Sequence, residues 1–236
     1  MKKIMTILLA LFAIQFSFGA NYSGTFSEEE ERKVSSFSGI NLGISADVFL
    51  TQENSQKVVL EGDSDVLEKI ETEVSGNTLV IKYEKSFRIR NIPKVKIYIS
   101  VPEIEKLSVS GSGSILAQNS INSEDIEFNV SGSGLIEIDD LTVDNISSSI
   151  SGSGDIVLSG SETVKFFKIS ISGSGDLSSE GLKVDEFIAR ISGSGKCKTN
   201  VVSRLEAVIS GSGRIYYKGN PIIDASISGS GKIENF

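Results

Sequence analysis

The tetrapeptide Ser-Gly-Ser-Gly occurs seven times between Ser110 and Gly231. A flexible Gly/Ser linker would join such motifs through polar residues, whereas the segments between them are regularly apolar. A nearly constant spacing of 18 to 21 residues therefore predicts a repeat architecture. The copies begin at Ser110, Ser131, Ser151, Ser172, Ser192, Ser210 and Ser228.

Apolar residues recur at fixed positions around each tetrapeptide. Alternate apolar positions within a repeat are typical of strands, and like residues in register between repeats indicate stacked strands. The sequence thus predicts an all-β fold, a right-handed parallel β-helix (solenoid) with about 20 residues per coil, its hand following the general rule for parallel crossovers. The residue before each copy is Val109, Val130, Ile150, Ile171, Ile191, Ile209 or Ile227, and the second residue after it is Ile115, Ile136, Ile156, Leu177, Cys197, Ile215 or Ile233.

The tetrapeptide itself is predicted to continue this alternation. Both glycines would then face inward, where the absence of a Cβ lets the wall bend or approach its neighbour. Both serines would face outward and form two ladders of hydroxyl groups. Ser and Gly are common in turns, so a solvated rim is the simple interpretation of these ladders, and a ligand-binding strip is the alternative.

Four regions are predicted along the chain. Residues 1–20 form a signal peptide with a basic start, an apolar middle and the small residues Gly19-Ala20 at its end. Residues 21–33 are acidic and predicted to be disordered. Residues 34–105 form an N-terminal β region that continues into the solenoid as an irregular β cap, and residues 106–236 form the Ser-Gly-Ser-Gly repeat β-helix.

One short helix is predicted within the N-terminal β region. Asp65 to Glu71 could make one or two helical turns, with Asp65 and Glu68 as a capping pair. So short a helix leaves the all-β class unchanged.

Composition excludes several classes of function. The chain has 23 basic and 31 acidic residues, a net charge of −8, which argues against nucleic-acid binding. It has no histidine and one cysteine, so it cannot form a His-ligated metal centre, a Ser-His-Asp triad or an intrachain disulfide. We expect no cofactor, no metal and no transmembrane segment in the mature chain.

Two columns of polar side chains are candidate sites. Asp155 and Asp176 follow consecutive tetrapeptides, so they would stack about 4.8 Å apart, near the ~5 Å between the carboxylates of retaining glycosidases. Every neighbouring pair in the column has that spacing, so catalysis is the less favoured interpretation, and only two of seven copies carry Asp, too few for a calcium-binding β-roll. The outward serines Ser153, Ser174 and Ser194 are the candidate ligand-binding strip.

Cys197 occupies a position that Ile or Leu holds in the other repeats. A buried thiol acting as a small apolar side chain is therefore predicted there.

The repeats resemble a known bacterial family. Phe37-Ser38-Gly39-Ile40-Asn41, the strand pattern through Ile81 and the repeated Val/Ile-Ser-Gly-Ser-Gly-x-Ile are similar to the head GIN domain family of autotransporter adhesins, over residues 34–236. The resemblance implies a right-handed β-helix related in shape to pectin-lyase-like folds, without their catalytic residues, and a part in cell adhesion.

The predicted function is an exported, non-enzymatic β-helix that serves as an adhesin-like binding or structural module in the periplasm, at the cell surface or secreted. Its partner would be an extracellular polysaccharide or a cell-surface protein. Uncapped ends of the solenoid could join copies into a homo-oligomer. The alternatives are a carbohydrate-active enzyme that uses acidic residues on the solenoid wall, and a scaffold or sensor of an envelope-stress system.

The first testable prediction concerns processing. N-terminal sequencing of protein recovered from the cell envelope or medium should begin at Ala20 or Asn21, because small residues end the apolar run. A mature chain that retains Met1 would contradict the export signal.

Overall fold

The computed structural model describes residues 27–85 and 94–236. The predicted signal peptide lies outside the described residues. One short helix, α1 (Ser64–Leu67), accompanies the strands. The strands are β1 (Glu28–Glu31), β2 (Gly39–Leu42), β3 (Ala46–Gln52), β4 (Lys57–Gly62), β5 (Ile70–Ser75), β6 (Thr78–Tyr83), β7 (Val95–Val101), β8 (Lys106–Gly111), β9 (Ser114–Ala117), β10 (Ile121–Gly132), β11 (Leu135–Ile138), β12 (Leu141–Gly152), β13 (Asp155–Gly173), β14 (Asp176–Gly193), β15 (Lys196–Gly211), β16 (Arg214–Lys218), β17 (Ile222–Gly229) and β18 (Lys232–Asn235).

The repeats form a β-solenoid of about six turns, with coils about 20 residues apart. Each coil has one strand segment before its tetrapeptide and one after it, and each segment pairs in parallel with the same segment of the next coil. Like positions meet in this register: Val130 lies opposite Ile150, and Ile136 lies opposite Ile156. The predicted all-β solenoid is confirmed.

The apolar columns fill the interior of the solenoid. Phe128, Phe167 and Phe187 are fully buried, and the rings of Phe167 and Phe187 meet edge to face with centroids 5.2 Å apart. Cys197 takes its place in the column of Ile and Leu and is also fully buried, as predicted. Because each such side chain contributes about 1.5–3 kcal/mol when buried, the columns are the main source of stability.

The first glycine of each tetrapeptide contradicts the predicted alternation. Gly152 has a φ of 117°, a left-handed conformation, and it lies at a partly exposed corner instead of facing inward. Its carbonyl accepts a 2.8 Å hydrogen bond from the Ser174 amide of the next coil. The chain turns here, so the period of two that holds along a straight strand does not continue through the corner.

The second glycine faces inward, as predicted. Gly154 is buried, and a Cβ added to it would lie 2.4 Å from Cγ1 of Val130 and 2.5 Å from the carbonyl oxygen of Gly134. Only a residue without a side chain permits this approach between neighbouring coils.

The N-terminal region interleaves its coils. β2 lies between β6 and β8, and β3 lies between β7 and β9, so the first coil of the chain is the second in the stack. Beyond β6 and β7 the pairing becomes antiparallel, with β5 against β6, β4 against β7 and β1 against β4. These antiparallel strands extend the walls at the N-terminal end of the solenoid.

Two local predictions differ from the structure. Residues 28–31 belong to the segment predicted to be disordered, yet they form β1, because the exposed edge of β4 offers backbone partners. α1 begins at Ser64, one residue earlier than predicted, and ends at Leu67: Asp63, not Asp65, is its N-cap and accepts a 3.1 Å hydrogen bond from the Asp65 amide.

The C-terminal coil is covered on one side only. Among the described residues, β17 pairs only with β15 and β18 only with β16. Ile227, the last member of a column buried elsewhere, is 44% exposed. The last coil therefore presents free strand edges and apolar side chains.

Three glycine variants distinguish the stability lost through a left-handed backbone conformation from that lost through a steric clash between coils. Gly111 has a φ of 130° but no atom within 4 Å of an added Cβ, whereas at Gly152 that Cβ would lie 2.5 Å from the Gly132 carbonyl oxygen. Gly111→Ala should lower the free energy of unfolding by about 1–2 kcal/mol, and Gly152→Ala by about 3 kcal/mol or more. Gly154→Ala, with the clash alone, should lose about 2–3 kcal/mol.

Ser153→Ala is the matched control, since this side chain is exposed, and it should change stability by less than about 0.5 kcal/mol. Urea denaturation measures all four variants. Equal losses for Gly111→Ala and Gly152→Ala would contradict the importance of the close approach.

Candidate binding surface

The strands that follow the tetrapeptides form one outer wall together with β3, and the outward side chains of this wall stand in two columns. The first column is Asp47, Ser114, Leu135, Asp155, Asp176, Lys196, Arg214 and Lys232. The second column, two residues further along each strand, is Phe49, Leu116, Glu137, Val157, Ser178, Lys198, Tyr216 and Glu234.

The predicted serine strip lies at the edge of this wall. Ser153, Ser174 and Ser194 are exposed at the corners of three successive coils. Their amides bond to glycine carbonyls of the preceding coil at 2.8 Å, and their hydroxyls have no hydrogen-bond partner among residues 27–85 and 94–236. The strip thus offers hydroxyl groups at the spacing of the coils, about 4.8 Å.

Asp155 and Asp176 are adjacent in the first column, as predicted, and both have structural partners. Asp155 Oδ1 accepts a 3.2 Å hydrogen bond from the Asp176 amide, and Asp176 Oδ1 accepts a 3.0 Å hydrogen bond from the Lys196 amide. Lys196 Nζ also lies 3.7 Å from Asp176 Oδ2. The two carboxylates therefore tie successive coils together on an open surface.

The described residues contain no cluster of three or more Asp, Glu, Cys or His side chains that could hold a metal ion.

Burial raises the pKa of the Cys197 thiol well above its usual range, with a smaller contribution from the charge of Asp176. The thiol therefore stays protonated at neutral pH and is unsuited to nucleophilic or redox chemistry in the native fold.

An aromatic pair on the same wall was not identified from the sequence. The rings of Phe49 and Tyr98 stack with centroids 5.3 Å apart and an interplanar angle of 20°. Val59 lies beside Tyr98 on β4, and Leu116 lies beside Phe49 on β9. Alternation of buried and outward residues in β3 and β7 places both rings on the outer face. This alternation is the sequence feature from which the pair could have been found.

Glu61 holds Tyr98 in place. Its carboxylate accepts hydrogen bonds from Tyr98 Oη at 2.8 Å, from Lys96 Nζ at 3.2 Å and from Ser27 Oγ at 3.2 Å. The hydrogen bond from Tyr98, followed by that from Lys96, lowers the pKa of Glu61. The same contacts raise the pKa values of Tyr98 and Lys96, so all three groups keep their usual charge states at neutral pH.

A groove of about 660 Å³ runs over this aromatic pair. We call it the aromatic groove and define it by Val59, Tyr98, Phe49 and its polar lining. The lining combines hydroxyl, amide, carboxylate and ammonium groups, contributed by Thr51, Ser100, Gln118, Glu29, Glu53, Lys57 and Lys96.

These observations define a β-solenoid with an open, regularly patterned outer wall. The chain belongs to the family described as "putative auto-transporter adhesin, head GIN domain", whose model matches residues 36–221. The resemblance seen in the sequence is confirmed. No curated protein matches the chain significantly.

Solved structures support the same assignment. A Bacteroides fragilis protein described as a "putative adhesin" is 27% identical, with a TM-score of 0.85 over 90% of this chain and 98% of its own. A Parabacteroides distasonis protein described as a "putative lipid binding protein" is 26% identical, with a TM-score of 0.69 over 89% of this chain and 96% of its own. A "putative adhesin" from Parabacteroides merdae, 19% identical with a TM-score of 0.70 over 89% and 96%, shares the fold.

Proposed function

We propose that this protein is an exported, non-enzymatic adhesin-like module that binds an extended polysaccharide or a cell-surface protein along its outer wall. The observation that carries the proposal is the wall itself, which repeats the same exposed hydroxyl groups once per coil. A regular array of weak contacts suits a polymeric partner, because linked contacts add avidity without any single strong site.

Exposed side chains of the wall are the ones that we propose to contact the ligand. Ser153, Ser174 and Ser194 would contact the ligand through hydroxyl groups that have no partner within the described part of the chain. Asp155 and Asp176 would contribute acceptors at the rim of the strip, in addition to their bonds to the next coil.

The same contacts favour a binding role over catalysis. A general acid needs an environment that separates its proton affinity from that of its partner carboxylate. Asp155 and Asp176 instead share an open wall, and Lys196 lies beside Asp176.

Export is supported by the sequence of residues 1–20 and by the family description. Within residues 27–85 and 94–236, no helix has the length and apolar character needed to cross a membrane. We place the mature protein in the periplasm, at the cell surface or outside the cell.

Free strand edges at the C-terminal coil favour self-association. β18 has Lys232 and Glu234 on either side of Ile233, so antiparallel pairing with a second copy about Ile233 would set each lysine opposite a glutamate. Ile227 and Ile233 would be covered in the same contact. We propose a homo-oligomer formed through this end.

Whole-cell and glycan binding by the purified mature protein tests the proposed function. Ser153→Gln, Ser174→Gln and Ser194→Gln combined should weaken binding about tenfold, because bulky side chains block several contacts of one array. Ser149→Gln with Ser170→Gln, on exposed positions of the adjoining wall, is the matched control and should bind as the wild type does.

A polysaccharide-degradation assay runs beside these measurements. Neither the wild type nor the variant with Asp155→Asn and Asp176→Asn should release products. Cleavage by the wild type that disappears in this variant would replace the adhesin proposal with the enzyme alternative.

Light scattering with size-exclusion chromatography tests the C-terminal contact. The wild type should form dimers at about 100 μM, and Ile227→Lys with Ile233→Lys should be monomeric, because a charge cannot be buried unpaired in the contact. Val202→Lys, at a position already 50% exposed on β15, is the control and should remain dimeric. A monomeric wild type would contradict the proposal.

A further inference from the structure

We propose that the aromatic groove is a binding site for a neutral oligosaccharide, a short stretch of a polysaccharide chain. The inference rests on the proposed function and names the site and the ligand chemistry that the function needs. The serine strip would then add weak contacts along the chain, while the groove recognises individual sugar rings.

The first argument is the apolar character of an outward column at one end of the wall. Further along the same column apolar side chains occur singly, since Val157 lies between Glu137 and Ser178, and Tyr216 lies between Lys198 and Glu234. At the N-terminal end, four adjacent strands instead present Val59, Tyr98, Phe49 and Leu116, and Tyr98 is 39% exposed. A contiguous apolar stripe on a solvent-facing wall indicates a binding site.

The second argument is size. The stripe crosses three strand spacings, about 14 Å. A groove of about 660 Å³ lies within the usual range of roughly 300–1,000 Å³ for small-ligand sites. Four partly covered side chains present only a fraction of the roughly 800 Å² per partner that a stable protein interface buries. An oligosaccharide matches this surface better than a protein domain does.

The third argument is the polar lining. Two carboxylates, of Glu29 and Glu53, and two ammonium groups, of Lys57 and Lys96, line the groove, so their formal charges cancel. Lys96 is also paired with Glu61 at 3.2 Å. Such a lining does not favour a charged ligand.

Hydroxyl and amide groups are left to make the specific contacts. The hydroxyls of Thr51 and Ser100 have no hydrogen-bond partner in the described part of the chain, and the Gln118 amide donates at 3.2 Å to the Leu116 carbonyl, which leaves its oxygen free to accept. A sugar ring combines apolar C–H faces with a rim of hydroxyls. The stripe and these polar groups complement both parts.

The fourth argument is preorganisation. The bond from Tyr98 to Glu61 and the stack of Tyr98 on Phe49 fix the ring without a ligand. Binding therefore orders few side chains, which reduces the entropy lost on association. The groove also shares its wall with Asp155 and the serine strip, so one polymer chain lying along the solenoid axis can contact all of them.

Titration of the mature protein with tetrasaccharides tests the site. The probes are cellotetraose, maltotetraose, xylotetraose and mannotetraose, with tetragalacturonate as the charged counterpart, and the measurements are calorimetry and saturation-transfer NMR. Phe49→Ala with Tyr98→Ala should weaken binding of a neutral probe at least tenfold, because the apolar floor is removed. Ser100→Gln narrows the groove and leaves both rings in place, and it should also weaken binding of the neutral probe. This second variant keeps the test valid if the double variant misfolds.

Tyr216→Ala is the matched control. Tyr216 is an outward aromatic residue in the same column as Phe49, six coils away at about 29 Å, beyond the reach of a bound tetrasaccharide. Its removal should leave the affinity within twofold of the wild type.

Several results would overturn the inference. The inference is wrong if no neutral probe binds or if the protein prefers tetragalacturonate. It is also wrong if both groove variants unfold like the wild type and bind the neutral probe with unchanged affinity. If cell binding persists while the neutral probes fail, the groove assignment is wrong and the proposed function stands. If neither cells nor probes bind, the proposed function fails as well. Loss of cell binding on protease treatment, but not on periodate oxidation of glycans, would assign the wall to a protein partner.

Discussion

The close approach of glycine backbones at the corners is the constraint on which the rest of the structure depends. Each Ser-Gly-Ser-Gly corner stacks directly on the one before it, and the serine amide bonds to the glycine carbonyl below at the same 2.8 Å in successive coils. A side chain at Gly154 would push against both Val130 and the Gly134 carbonyl. The glycines thus permit at the corners the spacing of about 4.8 Å that strand pairing sets between coils, and the apolar columns fill the interior.

Side chains of different size share this interior. Phe128 is followed in its column by Ser148 and then Ile169, and all three are buried. Close packing of a protein interior requires neighbouring side chains to fill the space that a small residue leaves. The outer wall has no such restriction, so its columns can change from aromatic to charged along the axis without altering the fold.

The period and the register could be predicted from the sequence because both depend on local patterns repeated seven times. The orientation of Gly152 could not, since the alternation of a straight strand gives no information about a left-handed corner. The order of the first coils also escaped prediction: the position of β2 between β6 and β8 depends on pairing between distant segments, for which no repeat exists.

The candidate site also combines features that the sequence predicts with features that only the fold reveals. The exposure of Ser153 and the stacking of Asp155 on Asp176 follow from the period, and both are seen in the structure. The aromatic groove combines residues of β1, β3, β4 and β7 with Gln118, which follows β9, so only the fold brings Phe49 and Tyr98 together. Their outward positions were nevertheless visible in the alternation of each strand taken alone.

The interleaved first coil has a consequence for the order of folding. In the repeats, neighbouring coils join residues about 20 apart, whereas the contact of Asp47 with Ser114 spans 67 residues. Long-range pairing is slow to form, so β2 and β3 wait unpaired until β6 to β9 have been synthesised. If the protein is exported, as proposed here, β2 and β3 would leave the ribosome before most of the strands that they pair with. The repeats can then add in sequence on a completed base, each new coil templated by the one before it.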